Sequence, residues 1–144
     1  MTAGKAAIDI KLTTEIFDLG QKDVTVVKET GSYIQKGSTA VLTFTEHQEQ
    51  GEDIQAMITI QPEKVSVKRT GAVHMHQVFR KKQKTENVYR HEFGTMHMET
   101  HTDQIIFKSL EERQQGELFI SYTTKMNGEG KRRHRLTLDF QLAH

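Results

Sequence analysis

The chain has 144 residues, the length of one ordinary domain with a single sizeable core. Its 20 Lys and Arg against 19 Asp and Glu leave a formal net charge of +1, which gives no global field toward nucleic acid or an anionic membrane, so any basic surface has to be local. Cysteine is absent, which excludes a disulfide framework, a thiolate metal site and a cysteine nucleophile.

The opening MTAGKAAIDI has no apolar signal core and no later run approaches membrane-spanning length, so a soluble, cytoplasmic protein spanning residues 1–144 as one domain is expected. The first periodic run follows at once, with Ile8, Ile10 and Leu12 alternating with Asp9, Lys11 and Thr13. Turn signals come next around Gly37 and in EHQEQGED (Glu46 to Asp53), an acidic stretch read as a solvated turn. Ile54, Ala56, Ile58 and Ile60 then share one face, with Met57 as the apolar exception on the other, and the single proline, Pro62, sits in the turn QPEK.

Parity becomes informative in the middle of the chain. In KVSVKR, Val65 and Val67 share a face with Arg69, while Ser66 and Lys68 point the other way. After Thr70 and Gly71, the face of Val73, Met75, Gln77 and Phe79 is the inner one, and His74 and His76 are outside. RKKQKTE closes a hairpin, after which Tyr89, His91 and Phe93 take the inner face. A symmetric register sets Gln77 opposite Tyr89, Met75 opposite His91, His74 opposite Glu92 and Val78 opposite Val88, although even slips keep the same parity. From Thr95 to Thr102 the inner positions become Met96 and Met98, a switch expected from a bulge or bend at Gly94. SLEERQQ offers a turn or two of helix at most. Leu118, Ile120 and Tyr122 resume the alternation, NGEG turns the chain, and Leu136, Leu138, Phe140 and Leu142 end it. About ten short strands with hairpin punctuation predict an all-β, antiparallel meander barrel.

Chemistry is sparse. His74 and His76 are spaced as two metal ligands on one strand face, yet a zinc site needs three or four converging ligands, so an exposed strand face is the expectation and no metal or cofactor is predicted. Arg80 to Lys82 with Lys84, and KRRHR from Lys131 to Arg135, lie at turns without an aromatic residue among them. They are read as solvated hairpin tips, with nucleic acid an improbable partner and an RNA-associated or interaction module the alternative. No phosphate loop, Gly-x-Ser-x-Gly elbow or EF-hand loop occurs, so no catalytic residue is named; an acid or base role for His91 is the enzymatic alternative. Arg69, Gln77, Tyr89 and His91 lie among Met75, Met96 and Met98 on the inner face, and an interior guanidinium needs a partner: an anion, an inner Glu, a carbonyl or rim water.

TGSY (Thr30 to Tyr33), VSVKRTGAVHMHQVF (Val65 to Phe79), YRHEFGTMHMETHT (Tyr89 to Thr102), GELFISY (Gly116 to Tyr122) and HRLTLDF (His134 to Phe140) resemble the YwiB-like family of uncharacterised bacterial proteins. That resemblance runs along nearly the whole chain and implies a calycin-type, lipocalin-like barrel with a small-ligand cavity; its pattern does not require histidine at 74 and 76. The expected function is binding of a small, partly apolar, anionic molecule inside the barrel, with Arg69, Met75, Gln77, Tyr89, His91, Met96, Met98 and Tyr122 as the ligand-binding set. Neither the ligand nor an oligomeric state follows from the sequence.

Overall fold

Strong period-two patterning without helical stripes leaves the chain one way to bury its apolar residues, a sheet curled on itself. The computed structural model describes residues 5–47, 51–91, 93–110, 114–127 and 130–143, with the side chain of His91 outside the description. Ten strands follow in order: β1 (Lys5–Asp18), β2 (Gln21–Lys36), β3 (Thr39–Glu46), β4 (Ile54–Gln61), β5 (Lys64–Gly71), β6 (His74–Arg80), β7 (Lys84–His91), β8 (Gly94–Lys108), β9 (Gln115–Met126) and β10 (Lys131–Leu142). Each pairs antiparallel with its neighbour in the chain, and β1 pairs with β10 from Ile8↔Leu142 to Phe17↔Arg133, closing the barrel. Closure pairs β1 with β10 and so leaves neither as an edge strand, although residues 21–30 of β2 have no ladder partner on the β3 side among the described residues.

The described residues contain no helix, and 111–113 at the centre of SLEERQQ lie outside them. No helix there is long and apolar enough to cross a membrane.

Because the strands alternate in direction, the β1–β2, β3–β4, β5–β6, β7–β8 and β9–β10 connections share one end of the barrel. The β2–β3, β4–β5, β6–β7 and β8–β9 connections, with the start of β1 and the end of β10, share the opposite end. The interior near that second end is packed shut by Ile8, Tyr33, Ala40, Ile60, Val65, Phe79, Leu118 and Phe140, joined by Leu110 from the β8–β9 connection. Gly116 is opposite Phe140, and the ring lies where a Cβ would stand, so glycine there makes room for the aromatic plug. Gly71 ends β5 at φ +118° with its Cα against the Asp53 carbonyl, a backbone position that other residues rarely adopt.

Two expectations about the middle strands are corrected. The β6–β7 register is His74↔Arg90 and Met75↔Tyr89, a slip of two residues from the symmetric hairpin, so neither Gln77 opposite Tyr89 nor Val78 opposite Val88 holds. The cause is the β6–β7 connection, which reaches past β7 onto β8: the Lys82 amide donates to the Thr102 carbonyl (2.8 Å) and the Thr102 amide to that of Gln83 (3.2 Å). The parity switch after β7 is made by the hairpin itself, with His91 paired to Gly94, while the bulge lies further on, between Thr102 and Gln104. Past that bulge Ile105 and Phe107 turn inward to join the core.

Candidate functional site

Toward the first end, the inner face changes from aliphatic to mixed. Thr14 and Thr25 replace the isoleucines of β1 and the valine of β2, and Glu46, Arg69, Met75, Gln77 and Tyr122 follow on the other strands. Together with Leu12, Val27, Phe44, Ala56, Ile58, Val67 and Leu136 they enclose a cavity of about 230 Å³. Among the described residues, 21–30 of β2 pair only with β1, and Thr25 and Val27 of this arm line the cavity. Glu29 ties the arm to the end of β3 by accepting from the His47 backbone amide (3.3 Å) and contacting its ring Nδ1 (3.1 Å), a bond that raises the His47 pKa above its usual value.

Arg69 is on the inner side, as parity with Val65 and Val67 requires, and its partner is a glutamate. Nε donates to Glu46 Oε2 (2.8 Å) and Nη2 to Glu46 Oε1 (2.9 Å), a bidentate fork in which both side chains are largely shielded, at 28% and 13% exposed. The reading of EHQEQGED as a wholly solvated turn is therefore wrong at its first residue. Glu46 shares parity with Leu42 and Phe44, and that alternation carries its carboxylate inward.

Gln77 is buried and donates from Nε2 to Thr100 Oγ1 (2.9 Å), two strands away. Tyr122 is buried with its ring edge-on to Phe79, and burial pushes its hydroxyl pKa up, so that hydroxyl stays a proton donor at any ordinary pH. Beside it lies a group that turn chemistry concealed in the sequence: His134 stacks flat on Tyr122, with ring centroids 4.7 Å apart, and its Nε2 is 2.7 Å from Thr124 Oγ1. Burial, with the charge of Arg132, lowers the His134 pKa to about 4, so the ring is neutral. The expectation of a solvated tip for KRRHR fails at this residue, because His134 continues the inward parity of Leu136 and Leu138.

Of the expected ligand-binding set, Arg69, Met75, Gln77 and Tyr122 meet around the cavity. Tyr89 and Met96 are partners across β7 and β8, nearer the rim, and Met98 is buried with inward parity but does not line the cavity. The His91 side chain lies outside the described residues, and so does Glu92. His74 and His76 are exposed on the outer face, with His76 Nε2 on Ser66 Oγ (2.6 Å). Among the described residues no three His, Asp or Glu side chains converge as a metal site would need. A larger depression of about 700 Å³ crosses the outer face beside Asp9, Lys11, Lys28 and Asp139, but it is open to solvent and lacks the apolar enclosure of the interior cavity.

Comparison with known proteins fits this architecture. A family model described as a domain of unknown function (DUF1934) matches residues 10–138. The chain is 26% identical over 134 residues to the uncharacterized beta-barrel protein YwiB of Bacillus subtilis strain 168, covering 93% of this chain and 92% of that protein. The crystal structure of the ywiB protein from Bacillus subtilis superposes with a TM-score of 0.84 at 24% identity, over 97% of this chain and 94% of that one, and so shares the fold.

Proposed function

Since the chain belongs to the DUF1934 family, whose description assigns no function, we propose an activity from the chain's own interior: the barrel holds a small, partly apolar ligand in the cavity beside Arg69 and Tyr122. The observation that supports this is a partly enclosed interior space with mostly apolar walls and a few converging polar groups, the combination that small-molecule sites share. At about 230 Å³ the space is below the roughly 300–1,000 Å³ of drug-sized sites, so the ligand is a small one. Glu46 neutralises Arg69, which shifts the expected head group from a full anion toward a neutral or dipolar one. Such a head accepts from the guanidinium N–H groups not aimed at Glu46 and from the Tyr122 hydroxyl.

Native mass spectrometry of protein from its own host, together with NMR titration by small monocyclic compounds, tests the reading. The intact protein is expected to carry a small-molecule adduct or to show shifts confined to cavity residues. Ala56→Leu, which fills the space from β4, is expected to lose both while melting no lower than the parent when ligand-free. No adduct and no cavity shifts with the intact protein would overturn the proposal.

A further inference from the structure

The two basic segments, Arg80–Lys84 and Lys131–Arg135, are at opposite ends of the barrel, yet strand tilt puts them on one oblique row. Directly opposed cross-strand partners run Lys84↔His101↔Thr123↔Arg133↔Phe17↔Lys22, from β7 through β8, β9, β10 and β1 to β2. All six side chains have outward parity. Lys125 and Lys131 pair with each other beside the row, and a groove of about 460 Å³ runs between Lys84, Thr123 and Lys131. Lys81 and Lys82 lie beside the row at its β7 end, where Lys81 bridges to Thr102 and the Lys82 amide donates to the Thr102 carbonyl, next to His101.

We propose that this row is a binding track for the backbone of a flexible single-stranded polynucleotide. Charge names a polyanion, and shape narrows it. Five of the ten strand-to-strand steps separate Lys84 from Lys22, so the track runs halfway around a closed barrel, about 24 Å at about 4.8 Å per step. Side chains on opposite sides of a barrel cannot touch one flat surface together, which disfavours a membrane. A stiff duplex, with a persistence length near 50 nm, does not wrap so tightly either.

Along the row, the Thr123 hydroxyl offers a phosphate donor, and Phe17 is the aromatic that the sequence clusters lack, flanked by Arg135 at 5.3 Å and Lys22 at 6.0 Å from its centroid. Acidic neighbours are present: Glu99 contacts Lys84 at 3.4 Å, Asp103 is 3.5 Å from His101, and Glu15 contacts Lys22 at 3.3 Å. These are exposed pairs of small net worth, which phosphates displace. The net charge of +1, which argued against nucleic acid, is a sum over the whole surface and does not register a track one residue wide.

Fluorescence anisotropy with a labelled oligouridine of about twenty nucleotides tests the proposal across a KCl series. Binding is expected to weaken with salt. The triple variant Lys84→Ala, Lys131→Ala, Arg133→Ala should bind at least about tenfold more weakly, with a log–log salt slope shallower by about 2, at about 0.7 for each phosphate no longer neutralised. The control triple Lys5→Ala, Lys36→Ala, Lys68→Ala, all exposed and away from the row, should stay within about twofold of the parent. Absence of salt-dependent binding, or equal losses in the two triples, would overturn the track. A duplex, polyglutamate or phosphatidylserine vesicles bound as tightly as oligouridine through the same three residues would overturn the polynucleotide as its occupant.

Discussion

Arg69 and Glu46 show how one side chain decides what an interior can do. A guanidinium alone in the barrel would demand an anion; joined to Glu46 by two charge-assisted bonds, it leaves a neutral, dipolar wall. Arg69→Met should strand the carboxylate and lower stability by about 3 kcal/mol, the lower end for a buried pair because both groups retain some solvent. Arg69→Met with Glu46→Leu should recover most of that loss in urea melts. A single substitution as mild as the double one would mean that the fork contributes nothing to the fold. His134 bears on pH. Its folded pKa of about 4 is below the unfolded value of 6.5, so the unfolded chain binds the proton first. Stability is whole above pH 6.5 and falls as pH drops toward 4, by at most about 3 kcal/mol and by less than that because the ring is partly solvated. Denaturation midpoints of the parent and of His134→Phe, compared from pH 7 to about 4, should diverge from each other with acid.

Strand parity made most elements readable, because alternation survives in any register and a half-buried strand has to display it. It placed Arg69, Gln77 and Tyr122 on the inner side. It also contained Glu46 and His134, each one step beyond an apolar run, but both stood among charged residues that also suit a turn, and local composition outweighed the alternation. What parity cannot carry is register. The slip of two between β6 and β7 changes no face, and the basic row depends on strand tilt, which no single strand encodes. That β6–β7 seam is the weakest of the ten. Among the described residues only two pairs are in ladder register; Asn87 Nδ2 donates to the His76 carbonyl (2.8 Å) and Thr85 Oγ1 to that of Val78, while Asn87 Oδ1 and Thr102 Oγ1 are buried without a hydrogen-bond partner among the described residues. Native-state hydrogen exchange should therefore open the amides shared by β6 and β7 at lower free energy than those shared by β8 and β9. Uniform protection around the barrel would show that the side-chain bonds replace the ladder in full.

At the scale of the molecule, the packed end and the hollow end have separate tasks. Aromatic and aliphatic side chains near Phe140 supply the core, which leaves the other half of the interior free to hold polar groups and a cavity. The outer face is free of both duties, and its charges can be arranged along the tilt of the strands. The seam between β1 and β10 has a different consequence, one of timing. Every other seam joins strands that follow each other in the chain, and can zip soon after both are made. This one joins Ile8 to Leu142, and closing so long a loop costs about 2 kcal/mol more than closing a hairpin of about ten residues. A ribosome delivers β10 after the other nine strands, so β1 waits with one edge unpaired until then, and the interior comes into being only when that tenth strand arrives.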